Sequence, residues 1–332
     1  MITIKDVARE AEVSVSTVSK IINNTKRFSS AVELRVKSAV EKLEFKPNPH
    51  ARSVSTGKTH AIGVVILDIA NPYYAAVVKG ISREADAKNH TVILADAEER
   101  PNRERDLIQT LSPRVDGLIL AGSRLSDVDI CALAMQKPIV TIGRVPGGEV
   151  MSVVSDEFEI TFQLTRHLIT TGRKRIAFLA GPNFWVNQQR LAGYEAALLE
   201  ASLPSMIYQL VSPSIEGGES LAGTLLMGAN RPDGILAYND LAAMGLMKVA
   251  RDLSVRIPED VAVVGIGDIP FAALVSPPLT TAAVPSLEIG RLAATLLMQK
   301  LEGLEILEPA LVLRAKLCIR ASTRIEEKQR EI

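Results

Sequence analysis

A chain of 332 residues is too long for one ordinary core, because domains average about 150 residues, so two or three units are expected. Its composition, 47% hydrophobic, 23% charged and 4% aromatic, excludes a disordered chain, which lacks the apolar residues, and a membrane protein, which lacks the charge. The formal net charge is zero, but residues 1–58 hold 11 Lys and Arg against 6 Asp and Glu, leaving 27 against 32 in the remainder.

A basic head on an acidic body is the charge layout of a polyanion-binding module joined to a unit that does not itself adhere to nucleic acid. The opening residues MITIKDVAREAEVS lack the apolar core of a signal peptide, and no later run approaches the roughly 18 apolar residues of a membrane span. A cytoplasmic protein with no membrane partner is therefore expected. Cys131 and Cys318 lie far apart with no His cluster nearby, a pattern that suggests neither a disulfide framework nor a zinc site. No metal and no cofactor are expected.

Thr3-Ile4-Lys5-Asp6 has the form of a capping box and predicts a helix from Ile4. Ile4, Val7, Ala8 and Ala11 follow at helical spacing; Ser14 can then cap a second helix carrying Val15, Val18, Ile21 and Ile22. A third helix is expected to begin near Ser30, with Glu33 three residues on and an apolar stripe of Val32, Leu34, Val36, Val40 and Leu43. Residues 1–46 thus read as three small helices around one core. Lys46-Pro47-Asn48-Pro49 stops the third helix, and 47–59 reads as a linker with room for one or two helical turns before Thr56-Gly57-Lys58.

From Ala61 the pattern changes to short apolar runs at 62–67, 91–95, 117–121, 139–143, 175–180, 234–238 and 261–266, separated by longer helical patterns. Consecutive apolar residues fit strands buried on both faces, and their alternation with helices implies right-handed βαβ units. A break near 153–157 starts a second series, so the expected body is two doubly wound parallel-sheet lobes. The first lobe is expected to cover about 60–155 and 281–308, and the second about 156–280 and 309–325; 279–285 crosses back between them, and 326–332 is a charged tail without leucine heptads.

The second short helix suits the major groove, where the leading face of a recognition helix carries small polar and hydrogen-bonding residues. Lys20 can donate to guanine, Ser16 can bond either base type and Val15 can pack on a thymine methyl, while Ser14, Thr17, Ser19 and Asn23 suit phosphates. Catalysis finds no support: there is no Ser-His-Asp order, nucleophile elbow or P-loop among only four histidines, and Gly265-x-Gly267 lacks the third glycine of a dinucleotide site.

The segment TIKDVAREAEVSVSTVSKIIN, from Thr3 to Asn23, resembles the DNA-binding signature of the LacI/GalR family. The resemblance continues through NPHARSVSTGKT, IGVVILDIANPYYAAVVKGI, QRLAGYEAAL, PDGILAYNDLAAMGLM and VAVVGIGDIPFAALVSPPLTT. It implies a helix-turn-helix head that includes Thr3 in its DNA contacts, and a hinge helix with Asn48, Ala51 and Arg52, where Val54 takes the place of the leucine that wedges into the minor groove. It further implies a body like the type I periplasmic binding proteins, crossed three times by the chain, and a homodimer reading pseudo-palindromic double-stranded operator DNA as a repressor.

The effector residues carried over by motif are Tyr73, Tyr74, Ser123, Arg144, Arg190, Asn239 and Asp268; Trp185, like the tyrosines, can stack on a ring. The effector expected is a small molecule derived from carbohydrate. Gly267 and Gly143 stand where family members commonly carry carboxylates, so the cleft is expected to be positive and the effector to bear an anionic group. The alternative is a solute-binding sensor of the same body fold that does not regulate DNA, a reading that leaves residues 1–58 without a use.

Overall fold

The computed structural model describes residues 2–22, 26–45 and 58–324, and the chain divides into two compact units, Met1–Thr59 and His60–Ile332. In the first, α1 (Ile4–Glu10), α2 (Val15–Ile22) and α3 (Ser30–Lys42) bury Val7, Ala8, Ala11, Val18, Ile21, Val36 and Ala39 against one another. Leu34 departs from the expected stripe and is 68% exposed. At 3.6 residues per turn it points roughly 200° away from Val36, and Ala39 fills the shared core instead.

The second unit contains two six-stranded sheets. The first lobe is built from β1 (Ala61–Ile66), α4 (Pro72–Ala87), β2 (Thr91–Asp96), α5 (Pro101–Leu111), β3 (Gly117–Ala121), α6 (Asp127–Ala134), β4 (Ile139–Ile142) and β5 (Met151–Ser155). The second lobe follows as α7 (Glu157–Thr170), β6 (Ile176–Ala180), α8 (Trp185–Glu200), β7 (Met206–Gln209), α9 (Ile215–Met227), β8 (Gly234–Ala237), α10 (Asp240–Asp252), β9 (Ala262–Ile266) and β10 (Thr280–Ala283). The chain then returns to the first lobe as α11 (Ser286–Leu301) and β11 (Ala310–Leu313), and ends in the second as β12 (Lys316–Cys318).

The strand orders are β11-β5-β4-β3-β1-β2 and β12-β10-β9-β8-β6-β7. Every pairing is parallel except β10 with β12. Strands β1, β3, β4, β6, β8 and β9 are buried along their whole length, which is why they appear as unbroken apolar runs. Strands β7, β11 and β12 alternate or lie half exposed at sheet edges and give a weaker pattern.

Among the described residues the chain passes between lobes at Asp156, at Val284-Pro285 and at Arg314-Ala315. Strand β10 pairs with β9 in the second sheet and β11 with β5 in the first. The second and third crossings therefore come several residues later than the boundaries expected at 281 and 309. Apolar periodicity identifies a strand but carries no information about which sheet receives it.

Helices α4 and α11 approach at glycines. A Cβ at Gly80 would lie 2.0 Å from the Leu287 carbonyl oxygen, and one at Gly290 would lie 2.0 Å from that of Val77. Both obstacles are backbone atoms, so neither can rotate away. Gly80→Ala or Gly290→Ala should cost about 1–3 kcal/mol by overpacking, more than the fraction of a kcal/mol that alanine gains by helix propensity. Urea unfolding of each variant against the parent chain measures the difference.

Candidate functional site

The head presents its polar residues outward. Thr3 and Asp6 close the first turn of α1, with the Thr3 N–H and Oγ–H donating to Asp6 Oδ2 at 3.0 and 2.7 Å. These bonds, the hydroxyl foremost, hold the Asp6 carboxyl below its ordinary range. Ser14 caps α2 by accepting from the Thr17 N–H at 3.1 Å, and its hydroxyl lies 2.9 Å from that of Thr17. Ser14, Val15, Ser16 and Lys20 are exposed, with Thr17 and Ser19 half-buried beside them, while Val18 and Ile21 anchor the opposite face in the core. The leading turns of α2 thus offer hydroxyls, one methyl-bearing side chain and one lysine on a single surface. Asn23, Asn48, Ala51, Arg52 and Val54 lie outside the described residues.

Within the second unit the carboxyl ends of both sheets face one cleft, with a volume of about 910 Å³ counting its solvent-open mouth. Its walls are the loops that leave successive strands: Asn71, Tyr73 and Tyr74 after β1, Ser123 and Arg124 after β3, Gly143 and Arg144 after β4, Glu157 after β5, Phe184 and Trp185 after β6, Tyr238, Asn239 and Asp240 after β8, and Gly267 after β9. This is where open parallel sheets place ligands, because the strand termini leave a crevice between diverging loops. Five of the chain's 13 aromatic side chains, Tyr73, Tyr74, Phe184, Trp185 and Tyr238, line it. That concentration equips the walls to stack on ring faces.

Arg190 is 8% exposed. Its Nε donates to Glu157 Oε2 at 2.7 Å, its Nη1 donates to the Tyr238 carbonyl, and its guanidinium carbon lies 4.5 Å from the Tyr238 ring centre. Burial disfavours the cation, but Glu157, together with Tyr238 and Tyr73, outweighs it and keeps the group charged. Arg144 donates to the Leu125 carbonyl at 2.6 Å and to Asp127, so its guanidinium braces the loop after β3. Arg124 pairs with Glu99, Nε to Oε2 at 2.8 Å. Asn239 caps α10, accepting from the Ala242 N–H at 2.9 Å and donating to the Pro213 carbonyl at 2.8 Å. Tyr73 and Tyr74 meet edge to face at 5.2 Å, and burial raises both phenols.

The structure brings seven of the eight expected effector residues to this cleft and turns Asp268 away. Gly267 (φ 137°) and Asp268 (φ 51°) direct the Asp268 carboxylate toward Arg320, whose Nη2 donates to it at 2.7 Å. The expected positive excess is also absent from the lining: Glu157, Glu99 and Asp127 pair with Arg190, Arg124 and Arg144. The sequence pattern does not reveal those pairings, because the carboxylates lie 17 to 33 residues from their arginines, beyond any local spacing rule. Tyr238 and Glu157 were recoverable from position, each following closely on a buried apolar strand. Asp240 supplies a further carboxylate, accepting from the Thr281 hydroxyl at 2.6 Å and the Ile269 N–H at 2.9 Å. A Cβ at Gly265 would lie 2.3 Å from its Oδ1, so this glycine makes room for it.

Comparison with known proteins accounts for both units. Residues 3–48 match the bacterial regulatory proteins of the lacI family, and residues 165–323 match the periplasmic binding protein-like domain. The HTH-type transcriptional regulator GalR of Escherichia coli strain K12 is 33% identical over 302 residues, 89% of this chain and 88% of GalR.

The chain belongs to the LacI family.

It is a transcriptional regulator with a helix-turn-helix head and a two-lobed parallel α/β body. The crystal structure of the lac repressor dimer bound to operator and the anti-inducer ONPF superposes with a TM-score of 0.87 at 26% identity, covering 97% of this chain and 99% of that one. A complex of the regulator CelR with cellobiose gives a TM-score of 0.73 at 30% identity, covering 97% and 100%. Among the described residues no helix is long and apolar enough to cross a membrane.

Asp240 gives this LacI-family body a pH signature. Burial pushes its carboxyl up to about 6, against the help of the Thr281 and Ile269 bonds. The folded state then holds this proton more tightly than the unfolded chain, whose carboxyl titrates near 3.8, so the associated stability is present at low pH and is lost as pH rises through about 6. Relative to Asp240→Asn, the parent chain should lose stability between pH 4 and pH 7, as read by parallel denaturant melts.

Proposed function

We propose that this chain is a sequence-specific repressor whose affinity for a pseudo-palindromic operator is set by a carbohydrate-derived effector held between the lobes. The observation that carries the reading is the pairing, in one polypeptide, of an exposed hydroxyl- and lysine-bearing helix face with an aromatic-walled cleft. A bare solute sensor has no use for the first, and an enzyme needs reacting groups that this cleft's paired arginines and carboxylates do not supply. The protein acts in the cytoplasm, where its DNA lies.

In this assignment Val15, Ser16 and Lys20 contact bases, while Thr3, Ser14, Thr17, Ser19 and Asn23 contact phosphates. The head covers 1–46 and the linker 47–59, whose Asn48, Ala51, Arg52 and Val54 contact the operator; valine is shorter than leucine and fills a base step less. Two heads are required for useful specificity, which makes the working species a homodimer. Effector binding changes the angle between lobes and so the spacing of the two linkers on the operator, so that one equilibrium is biased from two sites.

Tyr73, Tyr74, Ser123, Arg144, Trp185, Arg190 and Asn239 form the effector site. Because each lining arginine has a carboxylate partner, an anionic ligand would find no uncompensated cation there, and the balance favours an uncharged ring bearing hydroxyls. Arg190 Nη2, which no described hydrogen bond engages, is the donor such a hydroxyl would meet.

Selection of duplexes from a genomic library by the intact chain, with and without cell metabolites at moderate ionic strength, tests the reading; recovery of no preferred duplex overturns it. On the selected operator, Lys20→Ala should cost about 1–3 kcal/mol at one base pair and relax specificity there, as measured by titrating single-base variants. Calorimetry with neutral sugars and their phosphate esters should give binding only to neutral compounds; preference for the esters would restore the anionic effector.

A further inference from the structure

Two aromatic and charged groups face each other from opposite lobes. Arg124, in the loop after β3 of the first lobe, places its guanidinium carbon 4.6 Å from the centre of the Phe184 ring, in the loop before α8 of the second. Both sides are fixed independently. The Arg124 side chain is 7% exposed, with Nε and Nη2 on Glu99 Oε2 at 2.8 and 2.6 Å, and its backbone N–H donates to the buried Glu104 at 2.8 Å. On the other side, Asn187 accepts from the Gly181 N–H at 2.8 Å and Gln209 donates to the Gly181 carbonyl at 2.7 Å, which braces the loop carrying Phe184. Gly143 and Val186 approach across the same gap: a Cβ at 143 would lie 3.7 Å from Val186 Cγ2.

We propose that Arg124 and Phe184 are specificity-determining residues that form a clasp across the cleft mouth, so that the occupant is admitted only when the clasp parts and is retained only if it fits wholly behind it. The inference rests on the cleft being the effector site. A guanidinium held over a ring loses the contact within a few ångströms of lobe separation, because attraction to a ring quadrupole is confined to about 6 Å. Glu99 acts as a positioning residue: it neutralises Arg124 and fixes the plane of its guanidinium, leaving the ring contact as the contribution specific to the closed state. A ligand longer than the space behind Phe184 holds the clasp open and forgoes it.

The chain contains a single tryptophan, Trp185, adjacent to Phe184 and half-buried in the cleft wall, so the clasp has a reporter that needs neither DNA nor ligand. Acrylamide quenching of Trp185 is measured in the full chain and in the Arg124→Ala, Phe184→Leu and double variants, with circular dichroism confirming that each is folded. Loss of the clasp should shift the open-to-closed ratio by about ten-fold. Each single variant should therefore raise the quenching constant, the double variant should raise it no further than the larger single effect, and Arg124→Lys should restore part of the protection. Unchanged quenching in Arg124→Ala, or strictly additive effects in the double variant, overturns the clasp. Because no operator or effector enters the measurement, that failure is separate from failure of the repressor reading, which the library selection detects.

Discussion

A cation removed from water must be neutralised where it sits, and the cleft is organised around that requirement. Arg190, carried by α8, is buried beneath the aromatic walls, and its two partners come from separate places in the fold: Glu157 at the start of α7 and the carbonyl of Tyr238 after β8. Removing one member of such a pair strands a charge in low dielectric at a cost of about 3–5 kcal/mol, so α8, the start of α7 and the segment after β8 are held in register by electrostatics as well as by packing. Arg124 with Glu99 and Arg144 with Asp127 repeat the arrangement in the first lobe. The result is a rigid rim on each lobe, with aromatic faces between the fixed charges.

This arrangement also determines what the site can recognise. Charge-balanced walls select by shape, stacking and directional hydrogen bonds more than by net attraction, and the five rings supply the stacking. Glycine at 143 and 267 removes two side chains from the wall, and Asp240, from the facing helix terminus, places a buried carboxylate close to the second gap. The head works on the opposite principle. Its excess of basic residues gives general attraction to a polyanion, while the few polar groups on α2 would carry the discrimination.

Much of this could be read from residues alone where the signal is local. The Thr3–Asp6 and Ser14–Thr17 caps, the core positions Val7, Val18 and Val36, and the unbroken runs of β1, β3, β6 and β9 follow from spacing rules that act within one or two turns of chain. Leu34 falls outside the core because apolar character alone does not fix a residue's angle around the helix. Asp268 misled because its left-handed backbone turns the side chain to Arg320, a partner 52 residues away. The carboxylates that cancel the cleft's arginines, and the sheet that receives β10 and β11, were invisible for the same reason: pairing across the fold leaves no trace in a short window of sequence.

The three crossings between lobes carry a mechanical consequence. Asp156, Val284-Pro285 and Arg314-Ala315 each join the end of a strand in one lobe to an element of the other, and neighbouring strands tie β5 to β11 and β10 to β12. Three short, laterally bonded tethers resist sliding and torsion far more than bending, so the lobes behave as two leaves on a common spine, free chiefly to swing about it. Whatever occupies the cleft can then report its presence along only one coordinate.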